Sequence, residues 1–288
     1  MPPTDPLEIN HSPDPLLPPE MAVKAEHIGV AKAKLDTLSL LTLSVLAGAF
    51  IALGAVFMTV TVAGASEALP YGLVRLLGGL VFSLGLILVV VGGAELFTGN
   101  NLMVMAWAGG MISLPAMLRA WAIVYVGNFI GACGMAVLIF VSGHPLAGGG
   151  IVGRTALAIA EAKVAIPFFD AVVLGILCNV LVCLAVWLTY SARTVTGKVL
   201  VIVPPIAAFV AAGFEHSIAN MYFLPVAYLL TQLGSPETWQ VIGGAPADHA
   251  GLTLGAMAMN LIPVSIGNMI GGGGLVGAVY WFAYLRKR

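Results

Sequence analysis

Long apolar stretches dominate the chain and are separated by short segments that carry most of the charged residues. Six of them lie at about residues 40–64, 74–104, 119–142, 167–190, 199–231 and 252–285. A helix needs roughly 20 apolar residues to cross the hydrocarbon core of a bilayer, so each stretch predicts a transmembrane helix. The second and fifth stretches are too long for one plain span, and both contain polar residues near their centres. The pattern therefore predicts six transmembrane helices, with helices two and five broken.

The composition supports an all-α membrane protein. Hydrophobic residues make up 60% of the 288 residues and charged residues only 9%, whereas soluble domains have about 25% charged residues. A transmembrane β-barrel would instead show alternating segments of about ten residues. Cys133, Cys178 and Cys183 all fall inside predicted spans and read as small buried hydrophobes. We therefore expect no metal site, no cofactor and no nucleic-acid partner, and a lipid bilayer as the surroundings.

The first 37 residues differ from the rest and are predicted to form a cytoplasmic region ahead of a channel domain at 38–288. Residues 1–19 contain seven prolines and are not expected to form a regular helix. Met21, Ile28 and Leu35 then recur every seven residues, with lysines on other faces, which predicts a short amphipathic helix at the membrane interface. Two hypotheses stay open: a passive anchor, or a pH-sensitive gate in which charge on His27 weakens docking.

Lysine and arginine residues are unevenly distributed between the predicted loops. If the helices alternate in direction, three residues fall on one side: Arg75, Arg154 and Lys163. Nine fall on the other: Lys24, Lys32, Lys34, Arg119, Arg193, Lys198, Arg286, Lys287 and Arg288. Because positive charge accumulates on the cytoplasmic side, both termini are predicted to be cytoplasmic, in a multi-pass protein of the cytoplasmic (inner) membrane.

Two short motifs recur in the same order in both halves of the chain. "GAELFTGN" at 93–100 matches "GFEHSIAN" at 213–220, and "GNFIGA" at 127–132 matches "GNMIGG" at 267–272. Each half holds three predicted spans, so the second half would enter the membrane upside down. This arrangement predicts two inverted repeats, at about 38–142 and 167–288, with broken helices and a substrate site near the midplane. Non-helical backbone at that depth needs cover from protein or a water-filled cavity.

Each repeat carries an acidic residue and an asparagine at the predicted helix break. These are Glu95 and Asn100 in the first half and Glu215 and Asn220 in the second. A charged group at the centre of a bilayer is costly, by roughly 2.5–3.5 kcal/mol on insertion scales. Because a helix N-terminus favours negative charge, the preferred interpretation is that both glutamates cap half-helices and are structural.

His216 departs from the symmetry of the repeat, since Leu96 occupies the matching position. Two interpretations are open: a buried neutral histidine with a satisfied hydrogen bond, or a histidine that lines a pore. The second is preferred because scaffold symmetry does not account for the residue. Thr98 would offer a hydroxyl from the opposite half, and Asn268 on the last span would hold the other imidazole nitrogen.

At these residues the sequence resembles the formate/nitrite transporter family, and most of all its formate channels. The resemblance extends from about residue 15 to the end and rests on "FSLGLIL" (82–88), "ELFT" (95–98), "LVCLAVW" (181–187), "GFEHSIANM" (213–221) and "NLIPVSIGN" (260–268). It implies an aquaporin-like protomer of six helices, assembled as a homopentamer with one pore in each protomer. The stretch "TGNN" after "ELF" is nearer to nitrite channels, so the preferred anion stays open.

The resemblance also implies roles for individual residues. His216 would be the midplane histidine of the pore, Thr98 would lie on the loop that breaks the second helix, and Asn268 would bond the histidine. Lys163 would attract anions in the outer vestibule, unless it is a loop lysine that reaches the headgroups. Five apolar residues would form constrictions, unless the aromatic ones only fill the core: Phe82 and Phe209 outside, and Leu86, Phe97 and Val182 inside.

These residues predict a channel for small monovalent anions, with formate first. An anion loses costly hydration in an apolar slit, whereas a neutral weak acid loses far less. Histidine has an ordinary pKa near 6.5, so either His216 or water would protonate the anion between the slits. Passage of the anion beside a charged His216 is the direct alternative. A nitrite or hydrosulfide channel and a proton-coupled transporter are the other candidates, and no enzyme motif is present.

Overall fold

The computed structural model describes residues 14–65 and 68–287, all of whose regular elements are helical. Most of the tail at 1–19 and the last residue, Arg288, lie outside the described residues. The helices are α1 Pro18–Lys34, α2 Thr37–Val62, α3 Tyr71–Gly92, α4 Phe97–Asn100, α5 Val104–Ala108, α6 Leu114–Val141, α7 Ile151–Val164, α8 Phe168–Ser191, α9 Val195–Ala212, α10 Ser217–Leu233, α11 Pro236–Ile242, α12 Leu254–Met269 and α13 Val279–Tyr284.

Six helical segments of the described chain are long and apolar enough to cross a membrane, which confirms the prediction of six apolar helices. They are Thr37–Val62, Tyr71–Gly92, Leu114–Val141, Phe168–Ser191, Val195–Ala212 and Pro246–Tyr284. Packing repeats between the two halves of the chain: α2 packs against α3 and α6, and α8 packs against α9 and α12. The halves meet where α3 packs on α9 and where α6 packs on α10.

Side chains at the helix starts fix where the long helices begin. The capping residues share one geometry, in which a side-chain oxygen accepts a backbone N–H two or three residues later. They are Asp36 for α2, Ser113 for α6, Thr194 for α9 and Thr253 for α12. Each cap satisfies N–H groups that the helix itself leaves unpaired, so each start is set locally by sequence.

Sequence reasoning did not anticipate α7, which spans Ile151–Val164 between the halves. Its 14 residues include Arg154, Glu161 and Lys163. The helix is therefore too short and too charged to be recognised as a span. Its buried face nevertheless packs against α10, α12 and α2. The helix ends at Val164. Lys163, the residue before it, points inward and binds Glu215.

Helix α1 exists as predicted, but it packs differently from the expectation. Pro18 and Pro19 occupy its first turn, where a missing N–H is tolerated. The buried residues of α1 are Met21, Ala22, Ala25, Glu26 and Gly29, which follow the spacing of a helix face rather than a seven-residue repeat. This face packs on α5, α8 and α13, the last of which ends near the carboxyl end of the chain.

Two of the three lysines of α1 reach polar groups of the channel domain, although the sequence places them on faces other than that of Met21 and Ile28. Lys24 Nζ donates a hydrogen bond to the Tyr190 carbonyl at 3.0 Å, and Lys32 Nζ binds Glu95 Oε2 at 2.6 Å. Both side chains therefore point into the body of the protein. His27 is exposed. Charge on its ring would therefore lie outside the docking face, whereas the gating hypothesis requires that this charge weaken docking.

Candidate functional site

Two short non-helical turns place the residues that the sequence singled out. Helix α3 ends at Gly92, and Gly93 adopts a left-handed conformation with φ of 78° before α4 begins at Phe97. Helix α9 ends at Ala212, and Gly213 has φ of 79° before α10 begins. A left-handed residue at a helix end is most easily supplied by glycine. A left-handed glycine therefore ends a helix at matching points in both halves.

The two turns bring Thr98 and His216 together. Thr98 Oγ1 lies 3.1 Å from His216 Nε2, although 118 positions separate the residues in sequence. Both side chains are buried, with His216 only 3% exposed. The His216 ring also stacks on Phe209, with centroids 5.9 Å apart and planes 22° from parallel. The predicted meeting of these two residues is thus present in the structure.

The second ring nitrogen of His216 has a partner that the sequence did not suggest. His216 is the N-cap of α10, and its Nδ1 accepts the backbone N–H of Ala219 at 3.0 Å. Because Nδ1 is an acceptor here, the geometry fits a neutral imidazole whose proton is on Nε2 and is donated to Thr98 Oγ1. If Nδ1 carried a proton, it could not accept this N–H, and the capping bond would be lost. His216 is therefore arranged as a hydrogen-bond donor towards Thr98.

Asn268 does not bond the imidazole, which corrects the expectation that it holds the second nitrogen. Its Oδ1 accepts from Ser217 N at 3.0 Å, and its Nδ2 donates to the carbonyls of Glu215 and Gly175 at 3.0 and 2.8 Å. The amide therefore fixes the backbone on both sides of His216. The Nδ1 of His216 is not available to Asn268, because it already accepts the backbone N–H of Ala219 at the start of α10.

Asn128 makes the same contacts in the first half of the chain. Its Oδ1 accepts from Phe97 N at 2.9 Å, and its Nδ2 donates to the carbonyls of Glu95 and Ser44 at 2.9 and 2.7 Å. Sequence analysis passed over Asn128, although it occupies the same place in "GNFIGA" as Asn268 in "GNMIGG". The repeat itself was the signal that would have found it.

The two glutamates bind lysines and asparagines, and the expectation that they cap half-helices is wrong. Glu95 accepts from Lys32 Nζ and, at 2.8 Å, from Asn100 Nδ2. Glu215 accepts from Lys163 Nζ at 2.8 Å and from Asn220 Nδ2 at 2.6 Å. The N-cap of α4 is Leu96 and that of α10 is His216. Burial explains the preference, since a carboxylate away from water needs a cation as well as hydrogen bonds.

The predicted constriction residues are buried in one continuous core. Phe82 and Phe209 meet edge to face with centroids 5.8 Å apart, beside the ring of His216. Leu86, Phe97 and Val182 are 2%, 4% and 1% exposed and belong to the same cluster. Phe97 packs edge to face on Tyr125 at 5.0 Å. Apolar groups therefore surround the Thr98–His216 pair within the protein.

A cavity of about 860 Å³ opens beside this pair. Its lining includes Lys163, Arg75, Arg154, Phe82, Phe209 and His216. The ammonium of Lys163 lies 5.5 Å from the centre of the ring of Phe223, which also lines the cavity, as does Glu215. Arg75 binds the Val210 carbonyl, and Arg154 binds the Ile242 carbonyl at 2.7 Å. Sequence analysis placed these three cations on one side of the membrane but did not predict that they share a cavity.

Two further polar residues join the site without having been predicted. Asn179 Nδ2 donates to the Thr98 carbonyl at 3.2 Å and to the Asn268 carbonyl at 2.7 Å. Asn260 Oδ1 accepts from Asn220 Nδ2 at 2.7 Å. Asn179 is the one asparagine of α8, whereas α12 carries both Asn260 and Asn268. An asparagine within a span was the available signal, since a buried amide in a membrane needs partners.

Comparison with known proteins identifies relatives along nearly the whole chain. A family model described as "Formate/nitrite transporter" matches residues 19–282. The formate channel FocA of Escherichia coli K12 is 46% identical over 275 residues, which cover 95% of this chain and 96% of that protein. FocA of Haemophilus influenzae is 46% identical over 264 residues, covering 91% and 92%. A solved structure, "Pentameric formate channel with formate bound", matches with a TM-score of 0.82 and 43% identity, covering 87% of this chain and 98% of that one.

Proposed function

Because the chain belongs to the formate/nitrite transporter family, we propose that it is a membrane channel that conducts formate. Its relatives named as formate channels match it across nearly their whole length, which outweighs the short "TGNN" stretch that is nearer to nitrite channels. Family membership also favours transport over catalysis. The observation that carries the proposal is the buried Thr98–His216 contact, which lies among the predicted constriction residues and borders a cavity lined by Lys163.

The proposed route begins in the cavity, where cations would collect the anion. Lys163, Arg75 and Arg154 line this space together, and clustered positive charge raises the local concentration of an anion. Formate is a compact carboxylate, so it suits hydrogen bonds from an ammonium group. Phe82 and Phe209 then form the outer apolar constriction, beyond which the ring of His216 begins.

Between the constrictions, His216 and Thr98 would replace part of the hydration that formate loses. The imidazole has its proton on Nε2 when Nδ1 caps α10, so Nε2 can donate to a carboxylate oxygen that displaces Thr98. Protonating the ring would cost the capping bond. The geometry therefore favours a neutral His216 as donor, with water rather than His216 supplying any proton that neutralises formate. Leu86, Phe97 and Val182 would form the inner constriction.

The proposed architecture contains two inverted three-helix repeats in an aquaporin-like arrangement. Helix two would comprise α3 to α5 and helix five α9 and α10, each broken at its non-helical turn. The matching contacts of Asn128 and Asn268 support this reading. We retain the proposed division into a cytoplasmic region at 1–37 and a channel domain at 38–288, with repeats at about 38–142 and 167–288.

Both termini are proposed to be cytoplasmic. Lys24 on α1 reaches Tyr190 near the end of α8, and Met21 and Leu285 share one apolar cluster. The start of α8 follows Lys163, which lies on the cavity, and the helix itself spans about 36 Å. Positive charge on α1, the α8–α9 loop and the carboxyl end thus gathers at one end of the bundle.

The assembly is proposed to be a homopentamer, as in the matched structure. Many large apolar side chains of this chain are exposed, including Leu118, Ile130, Val137 and Phe282. Such faces suit lipid or a neighbouring protomer. Light scattering in mild detergent would give five chain masses after the detergent is subtracted. A monomeric mass would contradict the proposed assembly.

The function is tested by flux into proteoliposomes with formate, nitrite, acetate and hydrosulfide compared side by side. Protein-free vesicles give the background, and an imposed pH gradient separates a channel from a proton-coupled transporter. We expect formate to enter faster than nitrite and, under a pH gradient, to accumulate no further than the ratio at which formic acid is equal on both sides. Nitrite entry well above background, with formate at background, would overturn the formate assignment. Formate accumulation beyond that ratio would contradict a passive channel.

A further inference from the structure

The two buried lysines differ in how completely their ammonium groups are bonded. Lys32 Nζ donates to Glu95 Oε2 at 2.6 Å and also to Asn100 Oδ1 at 2.7 Å. Lys163 Nζ donates to Glu215 Oε1 at 2.8 Å, the one hydrogen bond found for it within the described chain. An ammonium has three donors. Lys163 therefore has more N–H donors left for a ligand in the cavity than Lys32 has.

The asparagine of each cluster accounts for this difference. Asn100 donates to Glu95 Oε2, the same oxygen that Lys32 binds, so its own Oδ1 is close to the ammonium. Asn220 instead binds Glu215 Oε2, while Lys163 binds Oε1. The Oδ1 of Asn220 is buried and has no hydrogen-bond partner among residues 14–65 and 68–287. The same three residue types thus give a lysine with two hydrogen bonds in one half and a lysine with one in the other.

Asn260 on α12 accounts for the altered geometry of Asn220. Its Oδ1 accepts from Asn220 Nδ2 at 2.7 Å, and its Nδ2 donates to the Lys163 carbonyl at 2.8 Å. The orientation of each amide is fixed chemically. Turning Asn220 over would set its oxygen against the Glu215 carboxylate, and turning Asn260 over would set two carbonyl oxygens together. Asn260 therefore draws Asn220 away from the ammonium and ties down the end of α7.

The first half of the chain has no such amide. By the spacing that relates Asn128 to Asn268, the position matching Asn260 is Ala120, which is buried on α6. Nothing at that position competes for Asn100, so Asn100 is free to bind both Glu95 and Lys32. The two clusters therefore differ in this amide as well as in the helix that supplies the lysine, α1 for Lys32 and α7 for Lys163.

We propose that Asn260 is a positioning residue that keeps the Lys163 ammonium available to capture the anion in the cavity. The inference rests on the proposed function for the identity of the anion, but the bonding of Lys163 does not. If Asn260 is removed, Asn220 turns its oxygen to Lys163 and the cluster becomes like that of Lys32. Lys163 then has one donor fewer for formate, and capture weakens while the rest of the pathway is unchanged.

The test compares Asn260→Leu with the double variant Asn260→Leu/Asn220→Ala in the full-length protein. The first readout is the rate at which an amine-specific reagent labels Lys163, measured by mass spectrometry, with Lys32 as an internal control. The second is the half-saturating formate concentration for flux, compared with the maximal flux. We expect Asn260→Leu to slow labelling and raise half-saturation about fivefold, the effect of one hydrogen bond. Maximal flux should change less.

The double variant separates positioning from a general structural role. Removing the Asn220 oxygen should return both labelling and half-saturation towards the original values, whereas further structural damage would make both worse. Unchanged labelling in Asn260→Leu, or a double variant worse than the single one, would overturn the proposal. If Asn260→Leu does not assemble, Asn220→Ala alone must leave Lys163 labelling at its original rate, and faster labelling overturns the proposal. Absence of formate flux in the unaltered protein would contradict the proposed function, while labelling still decides the role of Asn260.

Discussion

The two non-helical turns share their scaffold and differ in what they present to the interior. In each, a left-handed glycine ends one helix and an asparagine on a distant helix bonds the backbone on both sides of the turn. The residue before the next helix is Leu96 in one turn and His216 in the other. Symmetry therefore identifies the parts that hold the backbone. Departure from symmetry identifies the residue whose chemistry the proposed pathway uses.

The largest expected effect comes from removing the shared scaffold. Asn128→Leu and Asn268→Leu should each leave two backbone groups of the turn, one N–H and one carbonyl, without partners in the protein interior. The carbonyls of Ser44 and Gly175 lie inside α2 and α8 and keep their helical hydrogen bonds. Each unsatisfied group costs about 1–3 kcal/mol, so both variants should assemble poorly and unfold at lower temperature. The measurement is the yield of assembled protein and its thermal midpoint in detergent.

Thr59→Val is the matched control for these variants. Thr59 is buried too, but its hydroxyl binds only the Ala55 carbonyl of its own helix. We expect a small change there and similar large losses at Asn128 and Asn268. If Asn128→Leu were as stable as Thr59→Val, the two turns would not be equivalent scaffolds.

The lysine–glutamate pairs give the next effect and sharpen the comparison. Lys32→Met leaves the Glu95 carboxylate buried without its cation, and breaking a buried pair in this way costs about 3–5 kcal/mol. Adding Glu95→Gln should recover assembly and flux, because the Lys32 ammonium is held by Glu95 and Asn100 and has a structural role. Thermal midpoints and formate flux in liposomes are the measurements.

The equivalent double variant at the cavity should behave differently. Lys163→Met/Glu215→Gln should recover assembly but not the low half-saturating concentration for formate, since the cation that collects the anion is gone. A double variant with the half-saturation of the unaltered protein would show that Lys163 is structural, like Lys32. Both lysine–glutamate pairs would then have the same, structural role.

His216→Asn tests the departure from symmetry itself. Asparagine is a good N-cap, so α10 should start at the same residue and assembly should persist. The donor towards Thr98 changes, and we expect up to about a tenfold change in formate flux or in the ratio of formate to nitrite flux. Flux is measured from about pH 5 to about pH 8, where histidine normally titrates. Unchanged flux and selectivity throughout would remove His216 from the proposed mechanism.

Sequence patterns anticipated the framework because they report periodic burial. The six apolar helices and the family resemblance are both confirmed. The repeat also brought attention to His216 and Thr98, which do meet in the structure. Helix α7 was missed, since its charged residues hide a buried face that only tertiary packing reveals. A hydropathy pattern has no means of distinguishing such a helix from a polar loop.

Hydrogen-bond partners were predicted less well than positions. The glutamates were expected to cap helices, but burial made lysines their partners, and Lys32 comes from a helix thought to lie apart from the channel. Asn268 was expected to bond the imidazole, whereas its amide bonds the backbone of Glu215 and Ser217 on either side of His216. In each case the error has one cause. Local reasoning supplies the nearest suitable partner, while a buried site is completed by side chains from distant elements.

The smallest expected effect concerns α1 and pH, and it separates Lys24 from His27. Burial first, then the charges of Lys198 and Arg193, lower the pKa of docked Lys24 from its ordinary 10.5. The docked helix therefore binds this proton less tightly than the undocked helix does. Docking is weakest below the lowered pKa and strengthens as pH rises towards 10.5, after which the penalty is gone. Hydrogen-exchange protection of α1, corrected for the intrinsic rate, should rise modestly as the pH approaches 10.5 from below. Lys24→Gln should abolish this rise. His27→Gln should not, because His27 is exposed outside the docking face. A change in α1 protection between about pH 5 and about pH 8 that His27→Gln alone abolishes would restore the gate hypothesis and assign the trigger to that histidine.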